Sequence, residues 1–232
     1  MTVHAIITGD IVSSKKIKPL TREILYNDVS LLLEELKKKW ISSFETYRGD
    51  SLQCAASTPE LALRIALIIR SYFKAYLPEE QRIKITNAGK QLPTRGYFKT
   101  EFDIRLGVGM GQADFISPDK ISSSDGEAFR LSGEALDKLQ QGAQRLALST
   151  SNSLFNEQIE PSILLVDALI GKWTQNQAEF VFYKLQHKKE EEIASLLNIS
   201  QSAVNQRKKN AQWFAVEKLI EHFEKTVKSW TI

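Results

Sequence analysis

The stretch Val3 to Thr8, VHAIIT, is the tightest constraint on what this chain can fold into. Apolar residues at successive positions, including two adjacent isoleucines, and a stop at Gly9 predict a strand buried on both faces. Such a strand needs a sheet with helices laid on it. The next periodic segment supplies one. Thr21 is a candidate cap, and Leu25, Val29, Leu32, Leu33, Leu36 and Trp40 recur at spacings of three and four, a stripe that covers a sheet. Phe44 to Tyr47 and Leu52 to Ala55 flank Arg48, Gly49, Asp50 and Ser51, which predicts a hairpin with Asp50 at its tip. Thr58, Pro59 and Glu60 open a second helix that runs to about Tyr76, with Ile65, Ile68, Ile69 and Tyr72 on its apolar face. Asp103 to Met110 alternates Ile104, Leu106, Val108 and Met110 with other types, a strand whose glycines gather on one side and admit another backbone closely. Ala128 to Leu139 is helical again, and Arg145 to Leu148 is a last strand. The order βαββαβαβ predicts an α+β fold.

From Pro161 onward nearly everything reads as helix. Between the halves lies STSNSLFNEQIEP, residues 149–161, with the composition of a linker. A boundary near Asn156 follows, with one domain over residues 1–156 and a helical one over 157–232. A length of 232 residues, 42% hydrophobic and 25% charged, is enough for one or two cores. The formal charge of +3 leaves room for a polyanionic partner without demanding one. A single cysteine, Cys54, excludes an intrachain disulfide or a cysteine-rich zinc site and suits a reducing, cytoplasmic setting. Residues 3–12 are too short to span a membrane and contain Asp10, so no targeting segment and no membrane partner are expected.

Asp10 follows the buried strand and Asp50 sits at the hairpin tip. If those strands are neighbours, two carboxylates converge at one end of the sheet, which is enough protein ligation for magnesium or manganese. Gly-Asp at a strand end also serves as a plain turn or helix cap. The segments TGDIVSS, YRGDSLQCA, DIRLGVGMG and FRLSGEALDKL stand in the order used by class III nucleotidyl cyclases. The N-terminal half resembles their ferredoxin-like, palm-like domain, and the whole chain resembles the SatD family. The resemblance implies metal ligation by Asp10, Asp50 and the main-chain carbonyl of Ile11. It implies nucleotide contacts from the loop Val12 to Lys16, with its amides, Ser13, Ser14, Lys15 and Lys16, and from Arg48 and Asp137. The chain departs from the cyclase pattern where an asparagine and an arginine clamp the transition state: Asp137 and Gln141 stand there, and Thr46 replaces a base-reading lysine. Arg48, Arg105 or Arg130 would have to supply that charge from another direction.

In the C-terminal half, Ile193, Ala194, Leu197, Ile199 and Val204 have the spacing of a helix-turn-helix. Ser200 caps its second helix, which then displays Gln201, Ser202, Asn205 and Gln206 toward bases and Arg207, Lys208 and Lys209 toward phosphates. The same pattern also serves a packing bundle. A last amphipathic helix, Ala215 to Trp230, packs on this module or on a twin subunit in a homodimer. His4, His187 and His222 are scattered, Cys54 reads as a small buried group, GVGMG fails the dinucleotide fingerprint, and Lys37 to Lys39 read as cations facing water at a helix end. The expectation is a DNA-binding transcriptional regulator whose cyclase-like domain senses a metal-bound nucleoside triphosphate or a cyclic nucleotide. The rivals are an active nucleotidyl cyclase or nucleotidyltransferase with regulatory helices, and an interaction module with neither activity.

Overall fold

A computed structural model describes residues 2–47, 50–77, 102–117 and 120–230. Five strands, β1 (His4–Ile11), β2 (Ile41–Tyr47), β3 (Ser51–Ala56), β4 (Ile104–Gly111) and β5 (Leu146–Thr150), form one sheet in the order β2-β3-β1-β4-β5. β1 runs antiparallel to both β3 and β4, and β5 lies parallel to β4. With α1 (Pro19–Lys37), α2 (Ala62–Ala75) and α3 (Glu127–Leu139) between them, the elements follow the βαββαβαβ order, an α+β fold with β1 at its centre. Four further helices complete the described chain after a first long one: α4 (Ser153–Gly171), α5 (Gln175–Leu185), α6 (Glu190–Leu197), α7 (Gln201–Asn210) and α8 (Trp213–Lys228).

The two faces of the sheet are covered differently. Ile104, Leu106, Val108 and Met110 point into the core shared with α1 and α2. On the other side α3 lies so close to β4 that a Cβ on Gly109 would meet the Ala128 carbonyl and the Ser132 amide at 2.2 Å, and one on Gly107 the Ser132 carbonyl at 2.4 Å. The GVGMG run thus lets a helix backbone rest on a strand.

Local chemistry moved several boundaries. α1 starts at Pro19, where a missing N–H costs nothing, so Thr21 lies inside the helix and caps nothing. Thr58 to Leu61 first form a 3₁₀ turn, and α2 proper begins at Ala62. The polar stretch 149–161 is no linker: it is the end of β5 and the first half of α4, with Pro161 inside the helix. Its Ser/Asn/Thr chemistry is capping chemistry. Asn152 Oδ1 accepts from the Phe155 amide at 3.0 Å, and Asn156 binds the Thr150 amide, hydroxyl and carbonyl at 2.8–2.9 Å, pinning the helix to the strand end.

Both halves share one hydrophobic core. Of the fourteen residues of α2, only Tyr72 and Ala75 are not buried, as expected of a helix covered on opposite sides. The sheet covers one side and α5 the other, with Tyr72 and Phe182 rings 5.6 Å apart. Arg64 of α2 donates to Glu224 of α8 at 2.6 Å and to the Leu185 carbonyl at 3.1 Å. The apolar face of α8 is spent inside the chain, with Val216, Ile220, Phe223 and Val227 buried and Trp230 edge-on to Phe155 at 4.6 Å. Cys54 is fully buried, and burial pushes its thiol up to about 12.

Gly109→Ala is expected to destabilise the protein by about 1–3 kcal/mol, because the backbone of α3 cannot yield to a methyl group. Gly133→Ala, on the same helix but with nothing within 4 Å of the new Cβ, should stabilise it by about 0.5–1 kcal/mol. Urea unfolding of the two variants measures both signs. A second test concerns His187, stacked on Trp40 at 5.4 Å. Burial, then the charges of Arg64, Lys39 and Lys184, against Glu224, hold its pKa below the usual value. The fold therefore favours neutral imidazole, and stability should fall as pH drops below about 6.5. His187→Gln should flatten that part of the urea-midpoint profile.

Candidate functional site

Alternation along β1 places Thr8 and Asp10 on the face that carries α3, where the Thr8 and Ser132 hydroxyls lie 2.9 Å apart. Asp10 is flanked by Ser51 on β3 and Arg105 on β4 as its cross-strand partners. Arg105 Nη1 donates to Asp10 Oδ2 at 2.5 Å. Asp50 precedes β3, and its carbonyl accepts from the Ile11 amide at 2.8 Å. The turn after β1 folds back onto it, so that the buried Ser14 donates to Asp50 Oδ2 at 2.9 Å. The two acidic residues that the sequence spacing separates by forty positions are thus brought together at one end of the sheet.

Electrostatics at this end are strained. Burial raises the Asp10 pKa above the ordinary carboxylate value; Arg105 opposes this, the Asp50 charge adds to it, and Arg145 at the start of β5 opposes it, with a net upward shift. The Asp50 charge also reaches Tyr26 of α1, whose phenol is raised first by burial and then by that carboxylate. Among the described residues, three buried side-chain polar atoms have no hydrogen-bond partner, and two of them, Asp10 Oδ1 and Arg105 Nε, belong to this one ion pair.

That donor set fits a divalent ion. Magnesium takes one or two protein carboxylates and fills its shell with water and phosphate oxygens, and Asp10 Oδ1 is an oxygen without a partner beside a second carboxylate. Among the described residues no group of three or more His, Cys, Asp or Glu gathers, and Asp10 and Asp50 are the carboxylates brought together at this end of the sheet. Asp10 and Asp50 would hold the ion, which would neutralise the acid pair and bind phosphate oxygens. Ile11, the third expected ligand, ends β1 beside Asp10 with its side chain buried.

The remaining expected nucleotide contacts are unequal. Ser13 adopts a left-handed conformation, φ 55°, at the head of a 3₁₀ turn from Ser14 to Lys16, and Lys15 and Lys16 are exposed. The amide cradle expected from Val12 to Lys16 is partly spent: Val12 donates to the Asp103 carbonyl at 3.0 Å and Lys16 to the Ser13 carbonyl at 2.8 Å. Closing the turn consumes those donors. Asp137 is exposed near the end of α3, where its carboxylate takes a 3.4 Å hydrogen bond from Gln140. Arg48 lies outside the described residues, and Arg130 is engaged with Asp125 at 3.8 Å. Sequence reasoning missed the charge of Arg145 at Asp10 and left Arg105 as one option of three. The alternation IRLGVGMG does put Arg105 on the glycine face, but its register against Asp10 has no local signal.

In the helical half, α6, a left-handed Asn198 and α7 form the helix-turn-helix pair around buried Ile193 and Val204. Ser200 caps α7 by accepting from the Ala203 amide at 3.2 Å, and its hydroxyl is 2.8 Å from that of Ser202. Gln201, Ser202, Asn205, Gln206 and Lys209 are exposed, with Gln206 donating to Asn210 at 2.8 Å. Arg207 and Lys208 are held by carboxylates of the protein itself, Glu179 at 2.7 Å and Glu190 at 2.6 Å.

Fold and site together define an α+β protein with an acid pair and an arginine at one end of its sheet, followed by a bundle that contains a helix-turn-helix. The chain belongs to the SatD family, whose model matches residues 96–215, across the junction of the two halves. Its structure is similar to that of the adenylyl cyclase CyaB from P. aeruginosa, at 11% identity over 68% of this chain and 81% of that one, with a TM-score of 0.39. It is similar also to that of a bacterial light-regulated adenylyl cyclase, at 13% identity over 64% and 76%, with a TM-score of 0.38. No curated protein matches the chain. Among the described residues no helix is long and apolar enough to cross a membrane.

Arg105→Met removes the cation that opposes the upward shift of Asp10. The Asp10 carboxyl should then titrate at higher pH than in the unaltered protein, read from its carbon chemical shift by NMR, while Arg130→Met leaves it in place.

Proposed function

We propose that the sheet half binds a nucleotide through a divalent metal held by Asp10 and Asp50, and that the helical half uses this to regulate binding to DNA. The observation that carries the first part is the pair of unsatisfied atoms at Asp10 and Arg105. An orphan acceptor next to an orphan donor suits a ligand that brings both a cation and anionic oxygens, which is what a metal-bound phosphate is. Arg105 and Arg145 provide further positive charge at the same end. Ser13, Ser14, Lys15 and Lys16 frame it from the turn after β1. The second part is supported by α7, capped by Ser200 and exposing Gln201, Ser202, Asn205, Gln206 and Lys209, amide, hydroxyl and ammonium groups of the kind that read base edges and phosphates. Linkage would make the effect of nucleotide on DNA affinity equal to the effect of DNA on nucleotide affinity.

One observation favours a second reading, an active nucleotidyl cyclase or nucleotidyltransferase. The arginine missing at Gln141, which lies in the turn just past α3, has counterparts in Arg105 on β4 and in Arg145 immediately before β5. Charge on a transferring phosphate needs such a cation to reach useful rates.

Calorimetry of the full chain with each nucleoside triphosphate and with cyclic nucleotides, in magnesium or manganese, tests the binding reading. Metal-dependent binding that is lost in Asp10→Ala and in Asp50→Ala, with unchanged far-UV circular dichroism, is the expected result. Absence of binding at millimolar nucleotide overturns it. Pyrophosphate release in the same mixtures would move the assignment to the enzyme.

A further inference from the structure

The sequence run Lys37, Lys38 and Lys39 ends α1, where cations ordinarily oppose the helix dipole and face water. The fold places Lys37 5.9 Å from the Phe44 ring of β2 and gives Lys39 neighbours from the other half of the chain. Lys39 Nζ lies 4.7 Å from the centre of the Trp40 ring, His187 stacks on that ring, and Arg64 is 5.9 Å from it. His187 sits in the turn between α5 and α6, with Lys184 before it and Lys188 and Lys189 after it. Glu190, the next residue, holds Lys208 of α7. Cations therefore run from the end of α1, across the turn that leads into the helix-turn-helix, to the C-terminal half of α7.

Their counter-charges are largely used up. Glu35 pairs with Lys38, Glu192 with Lys188, and Glu224 with Arg64. Lys37, Lys39, Lys184 and Lys189 have no carboxylate partner among the described residues, against exposed Glu34 and Glu191 on the same helices. His187 lies among these cations: its basicity is depressed first by burial and then by the charges of Arg64, Lys39 and Lys184, against Glu224. Charge counting explains why this matters. The residues after Thr150 carry ten basic and ten acidic side chains, so the excess of three positive charges belongs to the first 150 residues. With Arg207 and Lys208 tied to Glu179 and Glu190, α7 alone offers one unpaired lysine among its described side chains, Lys209, to a polyanion.

We infer that the duplex-binding surface is built by both halves, with Lys37 and Lys39 at the end of α1 contacting the DNA backbone beside the helix-turn-helix. The inference rests on the DNA-binding reading above and adds the residues that supply phosphate contacts. A rigid basic ridge of this kind fixes register and contributes affinity without reading sequence.

The test is fluorescence anisotropy of the full chain with a random-sequence duplex across a series of salt concentrations. Each phosphate contact contributes about 0.9 to the slope of log affinity against log salt. Lys37→Ala combined with Lys39→Ala should lower that slope by about 1.8, and Lys39→Glu should weaken binding further at low salt. Lys209→Ala serves as the comparison on α7. A slope unchanged in the α1 pair but lowered in Lys209→Ala overturns the inference and leaves the DNA reading in place. Weaker binding at an unchanged slope overturns it as well, because the lysines would then act through the fold and not on phosphates. No binding by the unaltered chain at low salt removes both.

Discussion

The arrangement of the two halves depends on one buried guanidinium. Arg70 of α2 is about 1% exposed, and it donates to both oxygens of Asp103 at 3.1 and 3.4 Å and to Asp167 of α4. Lys74 adds a second buried cation at 4.0 Å from Asp103. Bringing these charges out of water is expensive, and the group is tolerable because its hydrogen-bonding capacity is used: Asp103 also takes the Ile104 amide, and Asp167 takes the Arg145 amide on both oxygens. Losing one member would strand a buried charge, at about 3–5 kcal/mol. The network ties the start of β4, the start of β5, α2 and α4 to a single geometry, which a purely apolar contact would leave free to slide.

That geometry passes directly to the acid pair. The Asp103 carbonyl receives the Val12 amide, two residues beyond Asp10, and Arg145 is held through its amide by α4 while its charge acts on Asp10. Asp10 therefore sits in a frame set partly by the helical half. The strain there has an intelligible cause. Two carboxylates brought together by the pairing of β1 with β3 repel each other, Arg105 relieves only one oxygen, and burial denies the other a water partner.

Much of this was legible in the sequence because its signals are local. The apolar run Val3 to Thr8, the hairpin around Asp50, the glycines of β4 and the Ser200 cap each carry period or turn chemistry within a few residues. What escaped is of two kinds. Asn152 and Asn156 have the look of linker residues in the sequence because capping and loop formation use the same side chains, and only the bonds to Thr150 and Phe155 separate the two. Register is the other kind. Nothing near Arg105 indicates that it stands opposite Asp10, and nothing near Tyr72 of α2 indicates that Phe182 of α5 will meet it.

The same distinction governs the charges of the helix-turn-helix. Read along the chain, Arg207, Lys208 and Lys209 are three adjacent cations free for phosphates. In the fold, a helix turns each by about 100° from the last, so the three face different neighbours. Arg207 is directed at Glu179 of α5, Lys208 at Glu190 of α6, and Lys209 at solvent. The first two pairs join α7 to the helices that carry it and fix the angle at which its polar face is presented. A run of like charge on a helix is thus divided between holding the module together and facing outward, and the division is set by where α5 and α6 place their acids.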